Sequence, residues 1–224
     1  MKRNFACSDL HGMWSLYEQM NKFIQPGDTV FFLGDAADRG PDGWKIIQSL
    51  ASNPQWIYLK GNHEDMLAKA MAEQAEGLYV ENCFLLDRNG GSKTLQDWMA
   101  DGGDEDWIHF LNNLPLRKTF VNEDGVNIEL SHAGFTPFKD AEPSEYQILW
   151  NRNHLKTPRR ELWRDNTIVV HGHTPIQHIV GELNYVPGAL WLNEQKVCID
   201  NGSFASGFGC LFDLDTYDEH IFHI

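Results

Sequence analysis

Positive charge is scarce in this 224-residue chain, in which 18 lysines and arginines stand against 32 aspartates and glutamates, for a formal net charge of −14. A protein whose main task is to hold a nucleic-acid backbone needs a basic field, so we expect no nucleic-acid partner. An anionic substrate would need local positive charge instead. Bound metal ions can supply that charge, because they are often the largest charges in a site.

Cysteine is sparse too, and long apolar runs are absent. The four cysteines are far apart and form no CxxC pair, which argues against a zinc knot or a disulfide framework. No apolar run reaches the length of a membrane-spanning helix, and none follows the basic residues near the N-terminus. We therefore expect a cytoplasmic protein with no membrane partner.

The first part of the chain alternates between short apolar runs and stretches of helical periodicity. The apolar runs are residues 5–7, 29–33 and 55–59. Each is followed by apolar residues at the three- and four-residue spacing of an amphipathic helix. Alternation of this kind predicts neighbouring, largely parallel strands joined by right-handed helical crossovers.

The second half predicts strands with little helix between them. These strands are 126–130, 167–170, 196–199, 209–214 and 219–224. We interpret the chain as an α/β fold in which two mixed β-sheets pack face to face in a four-layer α/β/β/α sandwich. Residues 1–224 would form a single domain. Segments 72–125 and 134–166 are irregular, and because such segments are often binding loops, we expect them to shape the substrate pocket.

Polar side chains follow five of the apolar runs, where each strand is predicted to end. They are Asp9 and His11, Asp35, Asn62 and His63, His132, and His171 and His173. Ligands bind at the carboxyl ends of strands in open α/β sheets, so five ends can converge on one site. One such segment would be an ordinary turn. Five are not explained in that way, because turns favour Gly, Pro, Ser and Asn rather than His.

Carboxylate, amide and imidazole ligands without a thiolate suit divalent manganese, iron or zinc. Two such ions about 3.5–4 Å apart can activate a shared water and hold the attacking and leaving oxygens of an in-line displacement. A metal pair needs a bridging ligand with two oxygens. Asp35, the middle acid of the set, is the candidate.

In this order the segments resemble the calcineurin-like metallophosphoesterases, and among them the phosphoprotein phosphatase branch, particularly the bacterial and phage serine/threonine phosphatases. The motifs that carry the resemblance are DLHG at 9–12, GDAADRG at 34–40, GNHE at 61–64, SHAG at 131–134 and GHT at 172–174. Together they extend over most of the chain.

The resemblance implies two divalent metal ions, with manganese as the first expectation and iron or zinc as alternatives. It implies ligands for one ion in Asp9, His11 and Asp35, and for the other in Asp35, Asn62, His132 and His173.

The resemblance also assigns the remaining chemistry of the site. His63 would be the general acid that protonates the leaving oxygen, and Asp38 the carboxylate that orients it. An alkoxide leaving group needs a proton, and a nearby carboxylate favours the charged form of a histidine. Arg39 and Arg152 would bind the phosphate, because guanidinium groups can hold phosphoryl oxygens bidentately.

The roles assigned above leave out Pro175, His171 and residues 89–91. Pro175 stands two places after His173, where the broader superfamily often has a second histidine, so the first metal would have three protein ligands. His171 and His173 would share a strand face by period-two geometry, and only the motif favours His173. Residues 89–91 are either a glycine-rich turn near the site, as in the bacterial phosphatases, or an ordinary tight turn.

The leading functional prediction is a metal-dependent phosphoester hydrolase, with phosphoserine or phosphothreonine in proteins, or another small phosphorylated substrate, as its target. The rival enzyme is a symmetrical dinucleoside tetraphosphate hydrolase, which the sequence does not exclude, and a phosphodiesterase is third. A non-catalytic scaffold is the alternative of another class. It fits less well, because scaffolds lose ligands and here all of them are present.

Overall fold

The computed structural model describes residues 2–78, 89–156 and 163–224. The strands are β1 (Asn4–Cys7), β2 (Thr29–Phe32), β3 (Trp56–Tyr58), β4 (Arg117–Val121), β5 (Asn127–Ser131), β6 (Thr167–His171), β7 (Leu190–Asn193), β8 (Lys196–Cys198), β9 (Phe208–Asp213) and β10 (Glu219–His223). Residues 79–88 and 157–162, which belong to the two expected insertions, lie outside the described residues.

The helices alternate with strands in the first part of the chain and are short in the second. They are α1 (Trp14–Phe23), α2 (Gly43–Ser52), α3 (Asn62–Ala75), α4 (Gly91–Ala100), α5 (Asp106–Asn112), α6 (Glu145–Trp150), α7 (Ile176–Val180) and α8 (Ser203–Ser206). Two short 3₁₀ turns cover Asn153–Lys156 and Glu182–Asn184. Among the helices of the described residues, none combines the length and apolar composition needed to cross a membrane.

The first sheet has the strand order β10-β9-β1-β2-β3. Strands β1, β2 and β3 are parallel, with Phe5 opposite Val30, and β9 and β10 continue the sheet in antiparallel fashion. The three predicted strand–helix units are therefore confirmed. Parallel order brings the carboxyl ends of these three strands to one edge of the sheet.

The second sheet has the order β4-β5-β6-β8-β7, in which β5, β6 and β8 are parallel. The outermost strands, β4 and β7, were not predicted from the sequence. In β4 no residue is buried, and in β7 none is either. A half-exposed edge strand carries no continuous apolar run, so the pattern that identified the central strands is missing there.

The two sheets pack face to face, as predicted. Ala6, Phe31 and Phe212 of the first sheet share one apolar cluster with Ile128 and Val170 of the second. A separate cluster lies between the first sheet and its covering helices, where α1, α2 and α3 bury their apolar faces. The four-layer α/β/β/α arrangement places the carboxyl ends of the parallel strands of both sheets side by side.

Candidate metal and phosphate site

The backbone of the site is held in an unusual conformation. Of the eight non-glycine residues with positive φ among those described, six are predicted site residues: Asp9, His11, Asp35, Asp38, Arg39 and His173. The left-handed conformation is unfavourable for side chains with a Cβ, and residues held in it cluster at functional sites. Asp9, Asp35 and His173 adopt it just after β1, β2 and β6, where the alternation of side chains along the strand no longer holds.

One set of donor atoms comes from Asn62, His132 and His173. Asn62 Oδ1 lies 2.8 Å from His132 Nε2 and 2.9 Å from His173 Nδ1, and the two ring nitrogens are 3.1 Å apart. Asn62 begins α3, His132 follows β5 and His173 follows β6, so three separate elements supply this set. All three residues are buried.

A second set lies on the other side of Asp35. His11 Nε2 is 3.6 Å from Asp35 Oδ2 and 3.9 Å from Asp9 Oδ1. The other carboxylate oxygen of Asp9 accepts a hydrogen bond from the backbone N–H of His173 at 2.9 Å and also contacts the hydroxyl of Ser8. Asp9 is therefore held by its chain neighbour Ser8 and by the segment that follows β6.

Asp35 faces both sets at once. Its Oδ1 lies 3.4 Å from His132 Nε2 while its Oδ2 lies 3.6 Å from His11 Nε2. Burial, with the negative charges of Asp9 and Glu64 nearby, raises the pKa of Asp35 well above its ordinary value. A carboxylate in this position is destabilised in its charged form unless a cation neutralises it.

The histidines are oriented in a way that fits a metal pair. His11 Nδ1 donates to Ala37 O at 2.8 Å and His132 Nδ1 to Leu33 O at 2.9 Å, while His173 Nε2 lies 3.2 Å from Trp150 O. Each ring thus uses one nitrogen on a carbonyl and turns the lone pair of the other toward a carboxylate or amide oxygen. Lone pairs facing one another are stabilised by a cation between them, and metal-binding histidines are commonly fixed by such carbonyl contacts.

The titration behaviour of these rings agrees with that arrangement. Burial, together with the charge of Arg39, lowers the pKa of His11 well below 6.5. Burial, together with His132, likewise lowers the pKa of His173. Neutral imidazole is the form that binds a metal. Groups within coordinating distance of one another are His11, Asp35 and His63 in one place and Asp35, His132 and His173 in the other.

His63 and Asp38 form a buried pair at the edge of the site. His63 Nδ1 lies 2.6 Å from Asp38 Oδ2, and its Nε2 is 3.7 Å from Asp35 Oδ2. We expected Asp38 to favour the charged imidazolium. Instead burial, helped by the positive charges around the ring, lowers the pKa of His63 well below 6.5, and burial with the charge of Glu64 raises the pKa of Asp38.

Part of the donor atoms, those of Asp35, Asn62 and His173, border an open cavity of about 320 Å³. It is lined by Asp35, Arg39, Asn62, His63, Met66, Asn89, Trp150, Arg152 and His173. Both predicted phosphate-binding arginines are thus at this cavity. Arg152 is held by its Nε, which donates to Thr174 Oγ1 at 3.1 Å, whereas Arg39 is exposed.

Asn89 resolves the two interpretations of residues 89–91. Its side chain lines the cavity, and its carbonyl accepts a hydrogen bond from the backbone N–H of Arg39 at 3.1 Å. Gly90 has a φ of +72°, and a Cβ there would collide with the Arg39 backbone. The turn is therefore part of the cavity wall and contacts the backbone of Arg39.

The surroundings of His171 differ from those of His173. Strand β6 ends at His171, and the left-handed φ of His173 breaks the period-two pattern, so the prediction of a shared strand face is wrong. His171 Nδ1 lies 3.0 Å from Gly172 O, and burial lowers the pKa of His171 to about 4. It is absent from both groups of coordinating side chains.

Two buried acids at the site, Glu64 and Asp200, were not among the predicted site residues. Glu64 is buried and accepts hydrogen bonds from the backbone N–H groups of Asp35, Ala36 and Gly61 at 2.8 Å each. Asp200 is buried directly after β8, where burial and the charge of Asp9 raise its pKa well above its ordinary value. Asp200 had a signal, because it follows a strand in the same way as Asp9 does.

A family model for calcineurin-like phosphoesterases matches residues 3–212. The chain belongs to the calcineurin-like phosphoesterase family. It is therefore a metallophosphoesterase, an enzyme that hydrolyses phosphoester bonds, and the family depends on a pair of metal ions.

Curated relatives of this metallophosphoesterase are distant. It is similar to the asymmetrical bis(5′-nucleosyl)-tetraphosphatase PrpE of Anoxybacillus flavithermus, with 26% identity over 81% of this chain and 73% of that protein. It is also similar to a symmetrical bis(5′-nucleosyl)-tetraphosphatase of Nitrosospira multiformis, with 28% identity over 63% of this chain. That match spans 46% of the length of the Nitrosospira protein.

Solved structures share the fold. One provisionally described as a diadenosine tetraphosphatase has a TM-score of 0.67 and 18% identity, covering 99% of this chain and 93% of its own. A serine/threonine phosphatase of Saccharomyces cerevisiae with similarity to human PP5 has a TM-score of 0.53 and 14% identity, covering 100% and 80%. At these identities the likeness concerns the fold alone.

Proposed function

We propose that this metallophosphoesterase removes phosphate from phosphomonoesters of alcohols, with phosphoserine and phosphothreonine in proteins as its substrates and manganese as its metal. The observation that carries the proposal is the buried pair of His63 and Asp38, whose side chains are 2.6 Å apart at the cavity lined by Asp35, Asn62 and His173.

An alkoxide is a poor leaving group and gains most from a proton delivered as the P–O bond breaks. His63 is placed to deliver that proton, because Asp38 holds its Nδ1 and the rest of the ring borders the cavity. A phosphoanhydride releases a stable phosphate and needs this help less. An anionic phosphoryl group beside the ring would raise the pKa of His63 again, since negative charge favours the imidazolium.

The other side chains bind and orient the phosphoryl group. Two arginines at the cavity, Arg39 and Arg152, can hold its oxygens through paired N–H groups. A metal pair bound by the two donor sets would supply an activated water and neutralise charge on the phosphoryl oxygens. The water oxygen bonds to phosphorus and releases one proton to solvent as the P–O bond to the alcohol breaks. The alcohol oxygen takes the proton of His63, and His63 regains a proton from solvent.

A second candidate is hydrolysis of dinucleoside tetraphosphates. It is supported by the curated relatives, whose names describe bis(5′-nucleosyl)-tetraphosphatases. In that reaction the leaving group is a nucleotide, and the demand on His63 as an acid is smaller. The two candidates therefore differ in the effect that removing His63 should have.

The deciding experiment compares kcat/KM of the manganese-loaded protein for a phosphothreonine peptide, for p-nitrophenyl phosphate, for bis-p-nitrophenyl phosphate and for diadenosine tetraphosphate. The proposal expects the peptide to be turned over with a higher kcat/KM than the dinucleotide. Faster cleavage of the dinucleotide would replace it with the second candidate. A preference for the diester would make the protein a phosphodiesterase, and no turnover at all would favour a scaffold.

A further inference from the structure

A second cavity, of about 510 Å³, adjoins the catalytic one, and Arg39 lines both. Its other walls come from α7, from the segment between α7 and β7, from α8 and from the start of β9: Pro175, Gln177, His178, Glu182, Tyr185, Gly202, Ala205, Ser206 and Phe208. A substrate whose phosphate is held at Arg39 can therefore continue into this space. The space is much larger than a phosphate needs, and its size is that of a bound organic group.

The cavity has a rigid floor. Tyr185 Oη donates to Asn201, whose Oδ1 lies 3.1 Å away and also accepts a hydrogen bond from Gly188 N at 2.8 Å. Gln177 Nε2 donates to Asn201 O at 2.7 Å. Because Asn201 follows β8 next to Asp200, these contacts tie the cavity to the same strand ends that carry the donor sets. The floor of the cavity is therefore fixed by hydrogen bonds among the described residues.

Its lining combines apolar side chains with charged and polar ones. Tyr185, Phe208 and Ala205 provide apolar surface. Arg39, His178 and Glu182 contribute the charged and polar part of the lining.

The rim points to a macromolecule rather than a small ligand. Leu183 is 101% exposed, Val186 74% and Phe204 50%, and each is within one residue of a lining side chain. Isolated exposed apolar residues are ordinary, but apolar residues around a cavity that opens beside a catalytic site are typical of a contact surface. A nucleotide enclosed in the cavity would leave this rim in water.

We propose that this second cavity and its apolar rim bind the polypeptide next to the phosphorylated residue, with an apolar side chain beside Tyr185 and Phe208. The inference rests on the proposed function, since it assigns the site that selects among phosphoproteins. It predicts a preference for leucine over aspartate close to the phosphorylated residue.

The test uses phosphoserine peptides that differ only in carrying leucine or aspartate beside the phosphoserine, with p-nitrophenyl phosphate as the reference substrate. Ala205→Trp fills the cavity, and Leu183→Glu charges the rim. Each should lower the ratio of kcat/KM for the leucine peptide to that for p-nitrophenyl phosphate about tenfold. Val121→Glu is the matched control, because Val121 is 65% exposed on β4 at the far end of the second sheet. Its ratio should stay at the wild-type value.

The outcomes separate the inference from the function on which it rests. If wild-type protein cleaves both peptides equally, or Ala205→Trp leaves the ratio unchanged, the cavity is no peptide site although the phosphatase assignment stands. If Ala205→Trp instead slows diadenosine tetraphosphate, the cavity holds a nucleoside and the inference is wrong. If wild-type protein cleaves p-nitrophenyl phosphate but no phosphopeptide, the proposed function itself fails.

Discussion

His63 Nδ1 lies 2.6 Å from Asp38 Oδ2, and both side chains are buried beside the donor atoms of Asp35. The short contact orients the imidazole, whereas burial disfavours its charge. The imidazole of His63 is therefore oriented as a proton donor. An anionic substrate beside it would favour the charged form that donates the proton. Its role can be separated from that of the donor sets by substitution.

Replacing His63 with alanine should preserve metal binding and slow substrates with poor leaving groups most. An aryl phosphate with an acidic phenol needs little protonation, so its kcat should fall about tenfold or less, while an alkyl phosphate should fall by about 10²–10⁴. The measurement is the dependence of log kcat on the pKa of the leaving group, with metal content determined in parallel. Asp38→Asn should show the same trend with a smaller loss. Equal slowing of all substrates would exclude His63 as the acid.

Asp35→Asn should reduce metal content and activity together. Asp35 is the residue whose two oxygens face both donor sets, at 3.4 Å from His132 and 3.6 Å from His11, and an amide nitrogen cannot replace the second oxygen as a ligand. Metal per protein chain, measured by mass spectrometry after dialysis, should fall by one ion or more. Asp97→Asn, on the exposed face of α4 where Asp97 pairs with Lys93, is the control. Full metal occupancy in Asp35→Asn would show that Asp35 is no bridge.

Much of the fold could be predicted because its signal is local. Central strands are continuous apolar runs, and the helices of the first half repeat apolar residues at helical spacing. The edge strands β4 and β7 lack that signal, since they are half exposed. They form strands because they pair with β5 and β8. Hydrophobic periodicity along the chain does not reveal such pairing.

The candidate site divides in the same way. Asp35 and His132 could be named because they follow predicted strands, but Glu64 could not be assigned its contacts, since its partners lie up to 29 residues away along the chain. His171 and His173 show a second limit. Period-two geometry holds only while the strand lasts, but β6 ends at His171 and His173 lies beyond it with a left-handed φ.

Glu64→Gln should destabilise the protein and weaken metal binding without removing a ligand. The carboxylate of Glu64 accepts from the N–H groups of Asp35, Ala36 and Gly61 and from Tyr58 Oη at 2.8 Å. An amide would turn an N–H₂ toward one of these donors, at a cost of about 1–3 kcal/mol. Since these bonds hold the turns of Asp35 and Asn62, metal affinity should fall about 10–100-fold. Denaturant unfolding and metal titration measure the two effects.

Tyr58→Phe is the matched control for that substitution. It removes one donor to Glu64 and leaves the three backbone contacts intact. The unfolding free energy should fall by about 1 kcal/mol and metal affinity should stay near the wild-type value. If Glu64→Gln bound metal as tightly as the wild type, the carboxylate would have a structural role only.

Lys196→Met should remove a pH dependence of stability. Lys196 is buried on the outer side of the second sheet, with its Nζ 4.6 Å from the Trp163 ring centre, and burial lowers its pKa from 10.5 to about 8. Below pH 8 the folded protein must keep this lysine charged against the cost of burial. Between about pH 8 and pH 10.5 the unfolded chain binds more protons than the folded one, so stability rises with pH, by at most about 3 kcal/mol. Denaturant unfolding at pH 7 and pH 10 should show this rise in the wild type relative to Lys196→Met. An identical pH profile in the two proteins would mean that Lys196 keeps its ordinary pKa in the fold.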